Sequence, residues 1–351
     1  MLNTIKKYFS LIFGLIFMIS FSFYFWEEYL KFYEENRAYE EKLLFLDESL
    51  DSFSLESLEE LESVELHYTP DKSLLDKIVL KIKNAKNRVF INTYIFSEKR
   101  IREEIIKAKN RWLDIKVVLE KNPYKAYNIN NKPYDSLVKN NIKVNWSNPR
   151  NFTFNHAKYL IIDDELIVST WNISYSTFTK NRDFFLFIND KKVLDSVLSV
   201  FNSDFNYKKD VFYDSRLVLS PEYSRYKLEY IIKDAKSSLK IYAQYLYDEN
   251  FISLVLDKSL NTEIEIIVRD NFYLENTNLI RKLESSWIKV YSMNSPVNHS
   301  KAILVDDKYL FIWSINISKN SIDKNRELGI IFSDKDSIEK FKNVFNLDVK
   351  K

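Results

Sequence analysis

The chain repeats itself, and no other feature limits its possible folds so tightly. Past residue 62 the sequence can be laid over itself at an offset of about 150 residues. VELHYTP (64–70) answers RLVLSP (216–221), each an extended segment closed by proline. IKNAKNRVFINTYIF (82–96) answers IKDAKSSLKIYAQYL (232–246), a helix end followed by an alternating apolar strand. DIKVVLEKN (114–122) answers EIEIIVRDN (263–271), and IKVNW (142–146) answers IKVYS (288–292). NHAKYLIIDD (155–164) and NHSKAILVDD (298–307) are nearly one string, and NRDFFLFI (181–188) answers NRELGIIF (325–332). Strands alternate with helical stretches such as 99–109 and 273–286, so each half should be an α/β unit around a largely buried sheet. The expected fold class is α/β: two lobes joined near residues 207–215, paired about a pseudo-twofold axis, with equivalent motifs facing across one cleft.

What both halves keep is reactive. His156, Lys158 and Asp163 recur as His299, Lys301 and Asp306 with the spacing His-x-Lys-x4-Asp. Residues two apart on a strand share a face, so each His and Lys should project together. YLII and AILV then bury the strand, and each aspartate comes where the chain turns through Asp-Asp. Asn172 and Asn316 follow a second apolar strand, and nine residues beyond them begin Asn181-Arg182-Asp183 and Asn325-Arg326-Glu327. This set suits phosphodiester cleavage through a covalent intermediate. A neutral histidine can attack phosphorus while a second protonates the departing oxygen, and imidazole suits both tasks near neutral pH. Lysine and asparagine groups can bind the non-bridging oxygens, and a carboxylate beside each imidazole fixes its tautomer.

Composition removes most other chemistries. There is no cysteine, which excludes disulfides, thiol catalysis and cysteine-ligated metals. With three histidines, at 67, 156 and 299, a histidine-rich metal site has too few ligands, so neither metal nor cofactor is expected. His67 is a lone histidine in an extended segment, where RLVLSP has none, and is expected to have no role. The two glycines, Gly14 and Gly329, are too few for any glycine-rich phosphate loop. The sequons at Asn151, Asn172, Asn298 and Asn316 read as accidental. Trp171 and Trp313 fit packing or a substrate channel equally well.

The first 62 residues lie outside the repeat. Tyr8–Trp26 runs for 19 residues without a charge, enough to cross a hydrocarbon layer about 30 Å thick as a helix. Lys6 and Lys7 precede it and Glu27 and Glu28 follow, so the positive-inside rule leaves the N-terminus in the cytoplasm. YFWEEYL has no small-residue cleavage site, so residues 1–26 read as an uncleaved anchor. The expected location is the cell membrane, single-pass, with the catalytic domain extracytoplasmic. Residues 27–62 read as an acidic helical stalk; residues 27–65 hold fourteen acidic side chains against three basic ones. With Lys6 and Lys7 also set aside, residues 66–351 carry 47 basic and 36 acidic groups, which favours an anionic partner. The first lobe is expected over 63–210 and the second over 211–351.

The two His-x-Lys-x4-Asp motifs with their downstream asparagines resemble those of the phospholipase D superfamily, which includes cardiolipin synthases and related phosphatidyltransferases. SPEYSR (220–225) followed by AKSSLKIYAQYL also resembles the opening of the second half in bacterial lipid-acting members. The resemblance covers about residues 63–346 and implies α/β/α sandwich lobes with mixed central sheets. It implies His156 as nucleophile, His299 as general acid, and Lys158, Lys301, Asn172 and Asn316 as phosphate contacts. Asp183 and Glu327 match the acids that orient histidine; Asp163 and Asp306 complete the catalytic motif as salt-bridge formers. The family's Gly-Ser-x-Asn is replaced by Ser169-Thr170-Trp171-Asn172 and Trp313-Ser314-Ile315-Asn316, and the first half is one residue shorter between aspartate and asparagine. The implied partner is an anionic phospholipid at a membrane, hydrolysed or transferred to an alcohol. The alternatives are an exported metal-independent endonuclease acting on nucleic acid, and an inactive anionic-lipid-binding protein. The oligomeric state is not legible.

Overall fold

The computed structural model describes residues 24, 26–31, 33, 34, 37–208 and 211–350. The segment read as a membrane anchor lies almost entirely outside the described residues. Among the described residues no helix is long and apolar enough to cross a membrane. The described residues from 24 to 51 are helical and form a unit of their own. The stalk expectation ran on to residue 62, but the helix ends earlier because Phe53 and Leu55 are apolar and bury themselves in the core of the second lobe.

Both halves build the same seven-stranded mixed sheet. In the first, β1 (Val64–Tyr68), β2 (Arg88–Thr93), β3 (Asp114–Leu119), β4 (Lys143–Trp146), β5 (Tyr159–Ile162), β6 (Glu165–Ser169) and β8 (Phe184–Ile188) lie in the order β1-β8-β6-β5-β2-β3-β4. The short β7 (Asn181–Arg182) stands apart. In the second half, β9 (Leu217–Ser220), β10 (Ser238–Ala243), β11 (Glu263–Arg269), β12 (Lys289–Met293), β14 (Lys301–Val305), β15 (Tyr309–Trp313) and β16 (Glu327–Phe332) lie in the order β9-β16-β15-β14-β10-β11-β12, and the short β13 (Val297–Asn298) again stands apart. β2, β3 and β4 pair in parallel, as do β10, β11 and β12, while the other neighbours are antiparallel.

Each sheet is covered on both faces, as its unbroken apolar strands require. Helices Lys72–Asn84 and Lys99–Lys109 bury Leu74, Ile78, Ile82, Ile101 and Ile105 against Val89 and Ile91. On the opposite face Phe201, from helix Lys191–Phe205, stacks on Phe90 at 4.9 Å. In the second lobe helices Ser224–Asp234 and Glu249–Lys258 cover one face, and Phe341 and Phe345 of helix Lys335–Asp348 meet Tyr242 on the other. The helix expected over 273–286 is broken at Asn276 into Asp270–Glu275 and Thr277–Ser285.

Contacts between the lobes come in matched pairs. β7 pairs in parallel with β13, and its counterpart is a parallel bridge between Asn155 and Arg326. Arg182 of the first lobe reaches Asp348 of the second at 2.7 and 2.8 Å; Arg326 of the second reaches Asp204 of the first at 2.9 and 3.2 Å. These guanidiniums are buried and doubly bonded, the geometry in which such pairs resist being broken.

Candidate active site

Each histidine leaves its own sheet before reaching the strand its motif opens. β5 begins at Tyr159 and β14 at Lys301, so His156 and His299 stand ahead of the strands, not in them as expected. Their backbones pair with the other lobe instead. The His156 N–H donates to the Arg326 carbonyl at 2.8 Å, and the His299 N–H to the Arg182 carbonyl at 3.2 Å. Lys158 and Lys301 curl back so that each ammonium donates to the carbonyl of the histidine two residues before it.

This exchange decides which acid meets which histidine. Nδ1 of His156 lies 2.8 Å from Oε2 of Glu327, and Nδ1 of His299 lies 2.7 Å from Oδ1 of Asp183. Each acid therefore serves the histidine of the opposite lobe, a crossing that no spacing within one motif reveals. Thr170 Oγ1 donates to Asp183 at 2.7 Å, and Asn325 Nδ2 to Glu327 at 3.2 Å. Burial opposes ionisation of both acids. For Asp183 the His299 and Lys301 charges win, and for Glu327 those of His156 and Lys158, so both carboxyls sit below their ordinary values. A carboxylate on Nδ1 keeps the proton there and leaves the lone pair on Nε2.

The two imidazoles share one electrostatic setting. Burial pushes His156 down to about 4, against the pull of Glu327 and with the help of Lys158 and Lys301. His299 is pushed down by burial too, opposed by Asp183 and aided by Lys301 and Lys158. Each histidine thus feels the lysine of the other lobe. Burial brings the Lys301 amine down to about 8 despite Asp183 and Glu327, and holds Lys158 well below the usual lysine range. Asn172 and Asn316 follow β6 and β15, the strands beside β5 and β14, and each leaves its side-chain oxygen buried without a hydrogen-bond partner among the described residues. Buried polar atoms of this kind call for a partner.

Asp163 and Asp306 are not brought to this site, and their inclusion in the catalytic set is corrected on that ground. Five residues of strand, about 16 Å, separate each from its lysine. Nor do they act as salt-bridge formers. Asp163 accepts the backbone N–H groups of Lys86, Asn87 and Arg88, and Asp306 those of Lys236, Ser237 and Ser238. They tie the turn to the start of the neighbouring strand. The length difference between the halves falls in the same turn: two residues join β5 to β6 after Ile162, and three join β14 to β15 after Val305.

The missing family glycines also resolve at the strand level. Ser169 pairs with Phe185, whereas Trp313 pairs with Gly329. A Cβ at 329 would sit 2.3 Å from that of Trp313. The same slot is filled from opposite strands in the two lobes. Trp171 and Trp313 are both packing residues, buried beside Phe178 and Phe185 and beside Phe311. His67 lies elsewhere on β1, 2.9 Å from Glu65.

Sequence reasoning missed the residues that differ between the halves. The Tyr94 ring stands edge-on to His156 at 4.6 Å, and Gln244, at the matching position, accepts from Lys301 Nζ at 3.2 Å. Glu120 directly follows β3 at the position that Arg269, the last residue of β11, holds in the second lobe. The signal was available, since both pairs are mismatches in otherwise aligned strings.

The family described as "Cardiolipin synthase, PLD-like domain" matches residues 78–205 and 228–349, one match in each lobe. The chain belongs to that family, within the phospholipase D superfamily. Cardiolipin synthase 1 of Staphylococcus aureus (strain MRSA252) is 23% identical over 331 residues, covering 81% of this chain and 67% of that relative. Among solved structures, phosphatidylserine synthase of Haemophilus influenzae Rd KW20 matches with a TM-score of 0.70 at 16% identity, covering 86% of this chain and 90% of that one. Polyphosphate kinase of Porphyromonas gingivalis matches with a TM-score of 0.65 at 15% identity, over 82% of this chain, which spans about half (51%) of the kinase. At these identities the two structures speak for the fold alone. The PLD-like lobes account for all of the site described above.

Proposed function

We propose that the chain is a phosphodiesterase and phosphatidyltransferase that acts on phospholipid through a phosphohistidine intermediate. The observation that carries this reading is the pair of buried imidazoles, each with Nδ1 held by a carboxylate of the other lobe. His156 Nε2 attacks phosphorus; the P–N bond forms as the ester P–O bond to the head-group alcohol breaks. His299 enters this step as the imidazolium, its Nδ1 proton held by Asp183, and gives its Nε2 proton to the departing oxygen. An acceptor alcohol or water then attacks, returns a proton to His299, and the P–N bond breaks. Lys158, Lys301, Asn172 and Asn316 hold the non-bridging oxygens, where developing charge is stabilised by groups already in place.

The family match and the relative named cardiolipin synthase 1 support phospholipid as the substrate class. The 19-residue apolar segment Tyr8–Trp26 supports an uncleaved single-pass anchor, and Lys6 and Lys7 before it support an extracytoplasmic catalytic domain. The anchor would hold the site beside its lipid. Incubation with labelled phosphatidylglycerol and, separately, with DNA, each with and without chelator, tests the reading. Lipid turnover that survives chelation is expected. DNA cleavage without lipid turnover would replace the reading with a nuclease, and neither activity would replace it with a binding protein.

A further inference from the structure

The two half-sites differ most in charge at the end of the third strand of each sheet. In the first lobe Glu120 is buried and turned inward: it accepts the N–H of Asn122 at 2.9 Å, the N–H of Asn155 at 2.7 Å and the hydroxyl of Ser147 at 2.9 Å. The matching residue of the second lobe is Arg269, a half-buried cation. Its guanidinium donates to Tyr245 Oη at 3.4 Å, a long bond, and among the described residues no carboxylate lies within ion-pair reach of it. The buried arginines elsewhere are matched: Arg182 by Asp348, Arg216 by Asp190 and Asp214, Arg326 by Asp204 and Glu222.

Arg269 also stands beside the reacting groups. Lys301 pairs across the sheet with Ala243, and Ala243 with Val268. Gln244 and Arg269 come one step further along, and Gln244 already takes the Lys301 ammonium. Two strand spacings, about 10 Å, separate the Arg269 backbone from that of Lys301, a gap that two long side chains close. The Arg269 charge adds to the burial that lowers the Lys301 amine. Two neighbouring cations, one without an acid, repel each other until an anion joins them.

We infer that Arg269 selects the alcohol that enters or leaves, by binding a negative charge which that alcohol carries. This selection presupposes the reaction proposed above. In-line displacement by His156 puts the leaving and entering alcohols on the His299 side of phosphorus, which is the side of Arg269. An anionic alcohol such as a glycerol phosphate would meet the guanidinium with a charge-assisted pair; a cationic one such as ethanolamine would be repelled.

The test uses the full chain in phosphatidylglycerol vesicles with labelled donor lipid and three acceptors: glycerol, glycerol 3-phosphate and ethanolamine. The readout is the ratio of kcat/KM for glycerol 3-phosphate to that for glycerol. Arg269→Gln is expected to lower this ratio about tenfold or more, and Arg269→Lys to lower it less. Arg269→Glu should turn the preference toward ethanolamine, a gain that misfolding cannot produce. A ratio that moves less than about twofold in Arg269→Gln, with no turn toward ethanolamine in Arg269→Glu, overturns the inference while leaving the reaction intact. If the unaltered chain passes label to no acceptor and to no water, the phospholipid reading itself falls and Arg269 loses this role with it.

Discussion

The two half-sites carry the same machinery in different surroundings. Each has a histidine, a buried lysine, an asparagine with an unsatisfied oxygen and an acid lent by the other lobe. Around this shared set, Tyr94 faces Gln244, Glu120 faces Arg269, and Ser169 with Phe185 faces Trp313 with Gly329. A covalent relay needs two imidazoles of one chemical kind, which holds the inner set alike. One imidazole must attack while the other moves protons, and the groups free to diverge are those at the rim.

The sharpest way to break the comparison is at the histidines. His156→Ala and His299→Ala should each lower turnover by about 10³-fold or more, while His67→Ala leaves it intact. Acid-quenched mass spectrometry should find phosphate on residue 156; phosphate on residue 299 would reverse the two roles. Next come the crossed acids. Asp183→Asn and Glu327→Gln should each cost about 10²–10⁴-fold. Asp183→Asn, although in the first lobe, should remove the low-field Nδ1 proton signal of His299 and spare that of His156. Loss of the His156 signal instead would sink the crossing.

Gly329→Ala should destabilise the protein by about 1–3 kcal/mol in chemical denaturation, because the added carbon meets Trp313. Ser169→Ala, where the bulk sits on the partner strand, should cost less. The comparison also bears on stability against pH. His156 ionises near 4 in the fold and near 6.5 when unfolded, so the unfolded chain binds more protons between those values. Its contribution is whole above pH 6.5 and is lost as pH falls toward 4. His156→Ala should flatten the fall of melting temperature over that window.

Much of the fold was legible because a repeat declares its own equivalences. Aligned strings such as NRVFINTYIF and SSLKIYAQYL placed strands at matching positions, and both sheets have the same order. The histidines, lysines and asparagines were legible as unchanged polar residues in apolar strings. The crossed acids were legible as residues but not as partners, since spacing reports what is near along one chain segment and the exchange is made by backbone pairing between lobes. Asp163 and Asp306 misled for the converse reason: they recur with the motif, yet what they hold is a turn. The stalk was overextended because Phe53 and Leu55 look like any apolar residues on an acidic helix until a core receives them.

The loan of each acid across the interface has a consequence for the growing chain. A polypeptide released as far as residue 205 already owns His156 and Lys158, but its imidazole has no anchor, because Glu327 has yet to be made. The later lobe, expressed alone, would carry His299 without Asp183. Neither fragment holds a complete half-site, so the site as described is assembled only once the second lobe has been made.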